Sequence, residues 1–127
     1  MENTIQDTLQ QGIIAHKQGN FEEAESFYNK ILKISPTHPD ANHNLCIIHF
    51  NSNKGNTALP FFKLAVESSP NEEQFWFSYI NALINEKHYN DALNVIKLAK
   101  MREFSQEKID ILTERLSLLF YNLGVEF

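Results

Sequence analysis

The sequence predicts an all-α fold of stacked helical hairpins, and three observations carry that reading. The chain aligns with itself at an offset of 34 residues, as Pro36 and Pro70 show. Within each unit, apolar residues recur at three- and four-residue spacing, which places them on one helix face. Glycine and proline number only four each, and Pro36, Pro39 and Pro70 fall between the apolar segments.

Three further series share the same phase: Ala24, Ala58 and Ala92; Tyr28, Phe62 and Ile96; and Ile31, Ala65 and Ala99. The units run over residues 5–38, 39–72 and 73–106 of a single domain covering residues 1–127, with a last helix over about 105–124. One hairpin cannot bury both of its faces, so stability is expected from stacking neighbours into a superhelix with a concave side.

In the first unit, Ile5, Leu9, Ile13 and Ile14 mark one helix. After the Gly19-Asn20 break, Phe21, Ala24, Phe27, Tyr28, Ile31 and Leu32 mark the second. The alanine series lets the two helices approach closely. Glu22, Glu23 and Glu25 stand where carboxylates meet the positive end of the helix dipole, so they are read as structural.

The second unit contains Pro60 inside its second helix. Capping by Asn56 or Thr57 would place Pro60 in the first turn, where no helical hydrogen bond is lost, and would give the helix a late start. The turn before it, residues 51–56, lacks the aromatic that Phe21 and Tyr89 supply elsewhere. In the third unit Asn71 is the expected cap, followed by Glu72, Glu73 and Trp76, and Phe104 stands where a closing proline would be.

For the last helix, Ser105 or a neighbour is the expected start. Ile109, Leu112, Leu116, Leu119 and Leu123 form a stripe suited to covering the third hairpin. Ile111, Leu118 and Val125 repeat every seven residues on a second stripe. An exposed apolar stripe calls for a partner, so self-association as a homodimer through this helix is expected.

Gly12, Gly19, Ala24, Tyr28 and Pro36, with the turn Lys17-Gln18-Gly19-Asn20-Phe21-Glu22-Glu23-Ala24, resemble the tetratricopeptide repeat. The resemblance covers about residues 5–106. It implies a right-handed superhelical stack of three helix-turn-helix hairpins closed by a capping helix. It also implies that the first helix of each hairpin lines a concave groove that holds a protein or peptide. The lining so implied includes Gln10 and Lys17 in the first unit, His43, Asn44 and Asn51 in the second, and Phe77, Ser78, Asn81 and Asn85 in the third. This surface is rich in amides and poor in charge. Amides both donate and accept, which suits the backbone of an extended peptide.

Family members that grip a chaperone's terminal carboxylate use Lys, Asn, Asn, Lys and Arg at set groove positions. Here those positions hold Leu9, Ile13, Asn44, Gln74 and Ser78, so that role is not expected. The stretch from Gln74 to Ile84 resembles arrays that precede sugar-, sulfo- or methyltransferase domains, and Asn44 and Asn81 resemble the asparagine-lined groove of the O-linked N-acetylglucosamine transferase array. Three functions follow: a peptide-binding scaffold, a non-catalytic substrate-recognition segment of a larger transferase, or a self-assembly module.

Other chemistries find no constellation. His43, Cys46 and His49 sit at i, i+3 and i+6 and fan over roughly 120° of one helix, so they do not converge on a metal. No nucleophile stands beside a base, and Cys46 on an apolar face reads as a buried thiol. No glycine-rich phosphate loop occurs, and no cofactor is expected. The net charge of −5 opposes nucleic-acid binding. One cysteine, no secretory leader and no run of about 20 apolar residues lead to the expectation of a cytoplasmic protein that does not enter a membrane.

Overall fold

The computed structural model describes residues 4–52 and 55–124. They form seven α-helices and no strand: α1 (Ile5–Lys17), α2 (Phe21–Ile34), α3 (Pro39–Asn51), α4 (Gly55–Ser68), α5 (Glu73–Asn85), α6 (Tyr89–Ala99) and α7 (Gln106–Asn122). The pairs α1/α2, α3/α4 and α5/α6 fall inside the three 34-residue units. Two compact units result, one of α1–α4 and one of α5–α7. Among the described residues, no helix is long and apolar enough to cross a membrane.

The repeat register becomes packing. Ala24, Ala58, Ala92, Tyr28, Phe62, Ile96, Ile31, Ala65 and Ala99 are all buried. Within α1–α4, α1 packs on α2, α2 on α3 and α3 on α4. Gly12 lies against the Tyr28 ring so closely that a Cβ there would stand 2.5 Å from Tyr28 Cε1. Fully burying a side chain such as Ile31 or Phe62 is worth about 1.5–3 kcal/mol, so these columns hold the hairpins together.

Local signals set the helix ends. Thr4 caps α1, its Oγ1 accepting the Asp7 N–H at 3.0 Å. At the far end Gly19 is left-handed (φ 80°), and the Asn20 N–H donates to the Ala15 carbonyl at 2.9 Å. Two repeats later Lys87 adopts the same left-handed backbone (φ 64°), with the His88 N–H donating to the Leu83 carbonyl at 2.8 Å. Pro39 opens α3, where its missing N–H costs no helical bond, and His38 Nδ1 accepts the Ala41 N–H at 3.1 Å.

One junction is built twice from unlike residues. Asn42 Nδ2 donates to the Pro36 carbonyl at 3.1 Å, and Trp76 Nε1 donates to the Pro70 carbonyl at 2.9 Å. Each donor lies six residues beyond its proline, in the same repeat position.

Three sequence expectations are corrected. Helix α4 does not start late: it begins at Gly55, in register with Phe21 and Tyr89, so Pro60 is its sixth residue and lies beyond the first turn. Packing of buried Ala58, Phe62, Ala65 and Val66 holds the helix where propensity alone would not. The N-cap of α5 is Glu72, while Asn71 Oδ1 instead accepts from Arg102 Nη1 at 3.1 Å. On α7 the buried stripe is Ile109, Leu112, Leu116 and Phe120. Leu123 is the C-cap and 60 % exposed, because the chain leaves the helix there, and Phe120 takes its place edge-on to Tyr89.

Ser105 caps α7 as expected, its hydroxyl accepting from the Lys108 N–H. Glu73, in the first turn of α5, accepts the Ser105 N–H at 2.9 Å and pairs with Lys108 Nζ at 3.6 Å, fixing the start of α7 beside the start of α5. Trp76, Ile80 and Leu83 are buried on α5. One repeat later α7 carries Asp110, Glu114 and Ser117, which gives it the polar face of a capping helix.

Candidate functional site

A depression runs between α5 and α7. One part is lined by Gln74, Phe77 and Asn81 from α5 and by Lys108, Ile111 and Arg115 from α7. The other is lined by Asn85, Lys87 and Tyr89 and by Ile111, Arg115 and Leu118. Their volumes are about 310 Å³ and about 580 Å³, within the range of sites that hold ligand groups. Ile111 and Arg115 line both parts.

The α5 side follows from helical spacing: Gln74, Phe77, Asn81 and Asn85 step by three and four residues along one face. Gln74 Nε2 donates to Ser78 Oγ at 3.3 Å, which leaves Ser78 half-buried beside this face. Phe77 is buried by its neighbours and packs edge-on to Phe104 at 6.1 Å, with Lys108 Nζ 5.7 Å from its ring centre. Arg115 Nη1 donates to Asn81 Oδ1 at 2.9 Å, spanning the depression.

The α7 side was not foreseen as lining. Lys108, Ile111 and Arg115 lie one repeat length beyond Gln74, Phe77 and Asn81. Continuing the 34-residue count past residue 106 would have found them. They also correct the expectation of a surface poor in charge, since α7 adds two cations. Ile111 and Leu118, expected as a self-association stripe, are 58 % and 59 % exposed and line this same depression. Val125 lies outside the described residues.

The compact unit of α1–α4 treats its expected groove residues differently. Gln10, Lys17 and Asn51 are exposed. His43, expected to face the groove, is buried edge-on against Phe62 at 6.0 Å, because α4 supplies an aromatic wall there. Asn44 is half-buried beside Tyr28. Burial pushes the pKa of the Tyr28 hydroxyl up and the Asn44 amide acts the other way, although no hydrogen bond of standard geometry joins the two. Two depressions of this unit include Gln11 and Phe27, and neither is lined by Gln10, Lys17, His43, Asn44 or Asn51.

The three residues at ligand-like spacing have separate surroundings. His43 meets Phe62, and His49 Nε2 lies 4.0 Å from Glu25 Oε1. Cys46 is buried and donates from Sγ to the Ala58 carbonyl at 3.4 Å, and burial pushes its thiol well above the usual range. A thiol held protonated is a poor nucleophile.

Comparison with known proteins agrees with the helical-repeat fold. The family model for the tetratricopeptide repeat matches residues 15–76. Over that stretch the chain carries the tetratricopeptide repeat. Among solved structures the array is similar to the TPR domain of Sgt2 from Aspergillus fumigatus, at 17 % identity and TM-score 0.79, over 94 % of this chain and 81 % of that one. It is similar to the TPR2B domain of yeast Sti1, solved as a complex with an Hsp70 peptide, at 19 % identity and TM-score 0.80, over 91 % and 97 %. A third similar structure is the first TPR of Spaghetti (RPAP3) bound to the HSP90 peptide SRMEEVD, at 19 % identity and TM-score 0.78, over 92 % and 93 %. These likenesses are of fold. No curated protein matches the sequence.

Proposed function

We propose that this tetratricopeptide array is a peptide-binding scaffold whose working surface is the depression between α5 and α7. The observation that carries the reading is the convergence there of amide side chains, Asn81 and Asn85, with the exposed apolar surface of Ile111 and Leu118. Amides satisfy a peptide backbone, and the apolar residues reward burial of peptide side chains. Similar TPR structures solved with peptides support this mode of action.

The test is selection of binders from a displayed library of random twelve-residue peptides on the purified protein, with Asn81→Ala/Asn85→Ala as control. Both residues are exposed, so the variant should keep its helical circular-dichroism spectrum. Enriched peptides should bind the variant more weakly. Equal binding to both proteins would place the binding surface elsewhere.

A further inference from the structure

We propose that the α5–α7 depression recognises an internal acidic side chain flanked on both sides by large apolar residues, with Arg115 as the cation that reads the acid. This rests on the peptide-binding reading and adds the chemistry of the partner.

Charge is the first argument. The chain carries a net −5, yet three cations, Lys87, Lys108 and Arg115, line the depression against one carboxylate, Glu114. Such a local reversal attracts an acidic segment that the rest of the surface repels. Arg115 is the cation best placed to act. Lys108 already lies 3.6 Å from Glu73, whereas Arg115 Nη1 donates to the neutral amide of Asn81. Among the described residues no carboxylate pairs with Arg115. A guanidinium has five N–H donors, so one bond to Asn81 leaves a fork for a carboxylate.

Position is the second argument. Arg115 belongs to both parts of the depression, so an acid held there lies midway along it. Ile111, 58 % exposed, provides apolar surface on the side of Phe77, and Leu118, 59 % exposed, provides it on the other. A peptide following the depression therefore places apolar side chains before and after its acid. A carboxylate at a chain end would leave one side unfilled.

The library selection tests this directly, read on the unmutated protein and on Arg115→Glu. Arg115 is exposed, and circular dichroism should show the variant folded. The unmutated protein should enrich peptides with one internal Asp or Glu between apolar residues, and Arg115→Glu should enrich Lys or Arg at that place. For the best peptide, synthesised with both termini blocked, replacing its acid by the amide should weaken binding about tenfold, the scale of a charge-assisted hydrogen bond. Enriched peptides that depend on Asn81 and Asn85 but show no acid, or the same acid with Arg115→Glu, would overturn this inference and leave the scaffold reading standing. A requirement for a free C-terminal carboxylate would also overturn it. No enriched peptide at all would overturn both.

Discussion

Arg115 Nη1 reaches Asn81 Oδ1 at 2.9 Å, and the two residues are one repeat length apart in the chain. Through this bond α7 faces α5 at the repeat spacing and presents its own column of residues to the depression. The bond is the reason that a capping helix takes part in the candidate binding surface. Removing it should be mild: in Asn81→Ala the exposed guanidinium remains hydrated, and stability should change by less than about 0.5 kcal/mol in urea unfolding. A loss several times larger would mean that the bond holds α7 in place.

Gly12→Ala should destabilise the protein by about 1–3 kcal/mol, the usual cost of overpacking. The added methyl would stand 2.5 Å from the Tyr28 ring, which is fully buried and cannot swing away. Thermal unfolding followed at 222 nm would measure it, and an unchanged midpoint would contradict the close approach.

Lys87→Gly should stabilise. Lys87 holds a left-handed backbone (φ 64°) at the position where Gly19 holds one without a Cβ. The left-handed conformation costs an ordinary residue about 1–2 kcal/mol, partly offset by the greater freedom of glycine in the unfolded chain. A net gain of about 0.5–1 kcal/mol is expected, and a lower melting temperature would overturn the turn assignment.

Ala92→Leu should cost about 1–3 kcal/mol, because Ala92 has no exposed surface and belongs to the alanine column of the hairpins. Gln10→Ala on exposed α1 surface should be nearly silent in the same measurement.

Cys46 should resist alkylation in the folded protein at pH 8. Its thiol is buried, bonded to the Ala58 carbonyl, and held protonated by that burial. Iodoacetamide labelling read by mass spectrometry should be slow in buffer and complete in denaturant. Rapid labelling in buffer would show that α3 and α4 separate readily.

The core was legible in the sequence and the groove only in part, for one physical reason. Core columns keep a common chemistry: Ala24, Ala58 and Ala92 are all small, and Tyr28, Phe62 and Ile96 are all large and buried. Groove columns change chemistry from repeat to repeat, as Gln74 gives way to Lys108 and Asn81 to Arg115. Only the repeat register marks them, and in α7 the apolar stripes overlie that register. Burial of His43 was hidden for a related reason, since it depends on Phe62 in the next helix. Pro60 misled because proline suggests a helix start, while the helix obeyed its packing.

The bonds from Asn42 to Pro36 and from Trp76 to Pro70 join one hairpin turn to the next helix with side chains that share neither size nor polarity. What the position demands is a hydrogen, delivered to one carbonyl from one direction. A small amide and a large indole are synonyms there, although any scale of residue similarity would score them as opposites. Relatives of this chain are therefore better aligned at this position by asking which residues can offer an N–H than by asking which look alike.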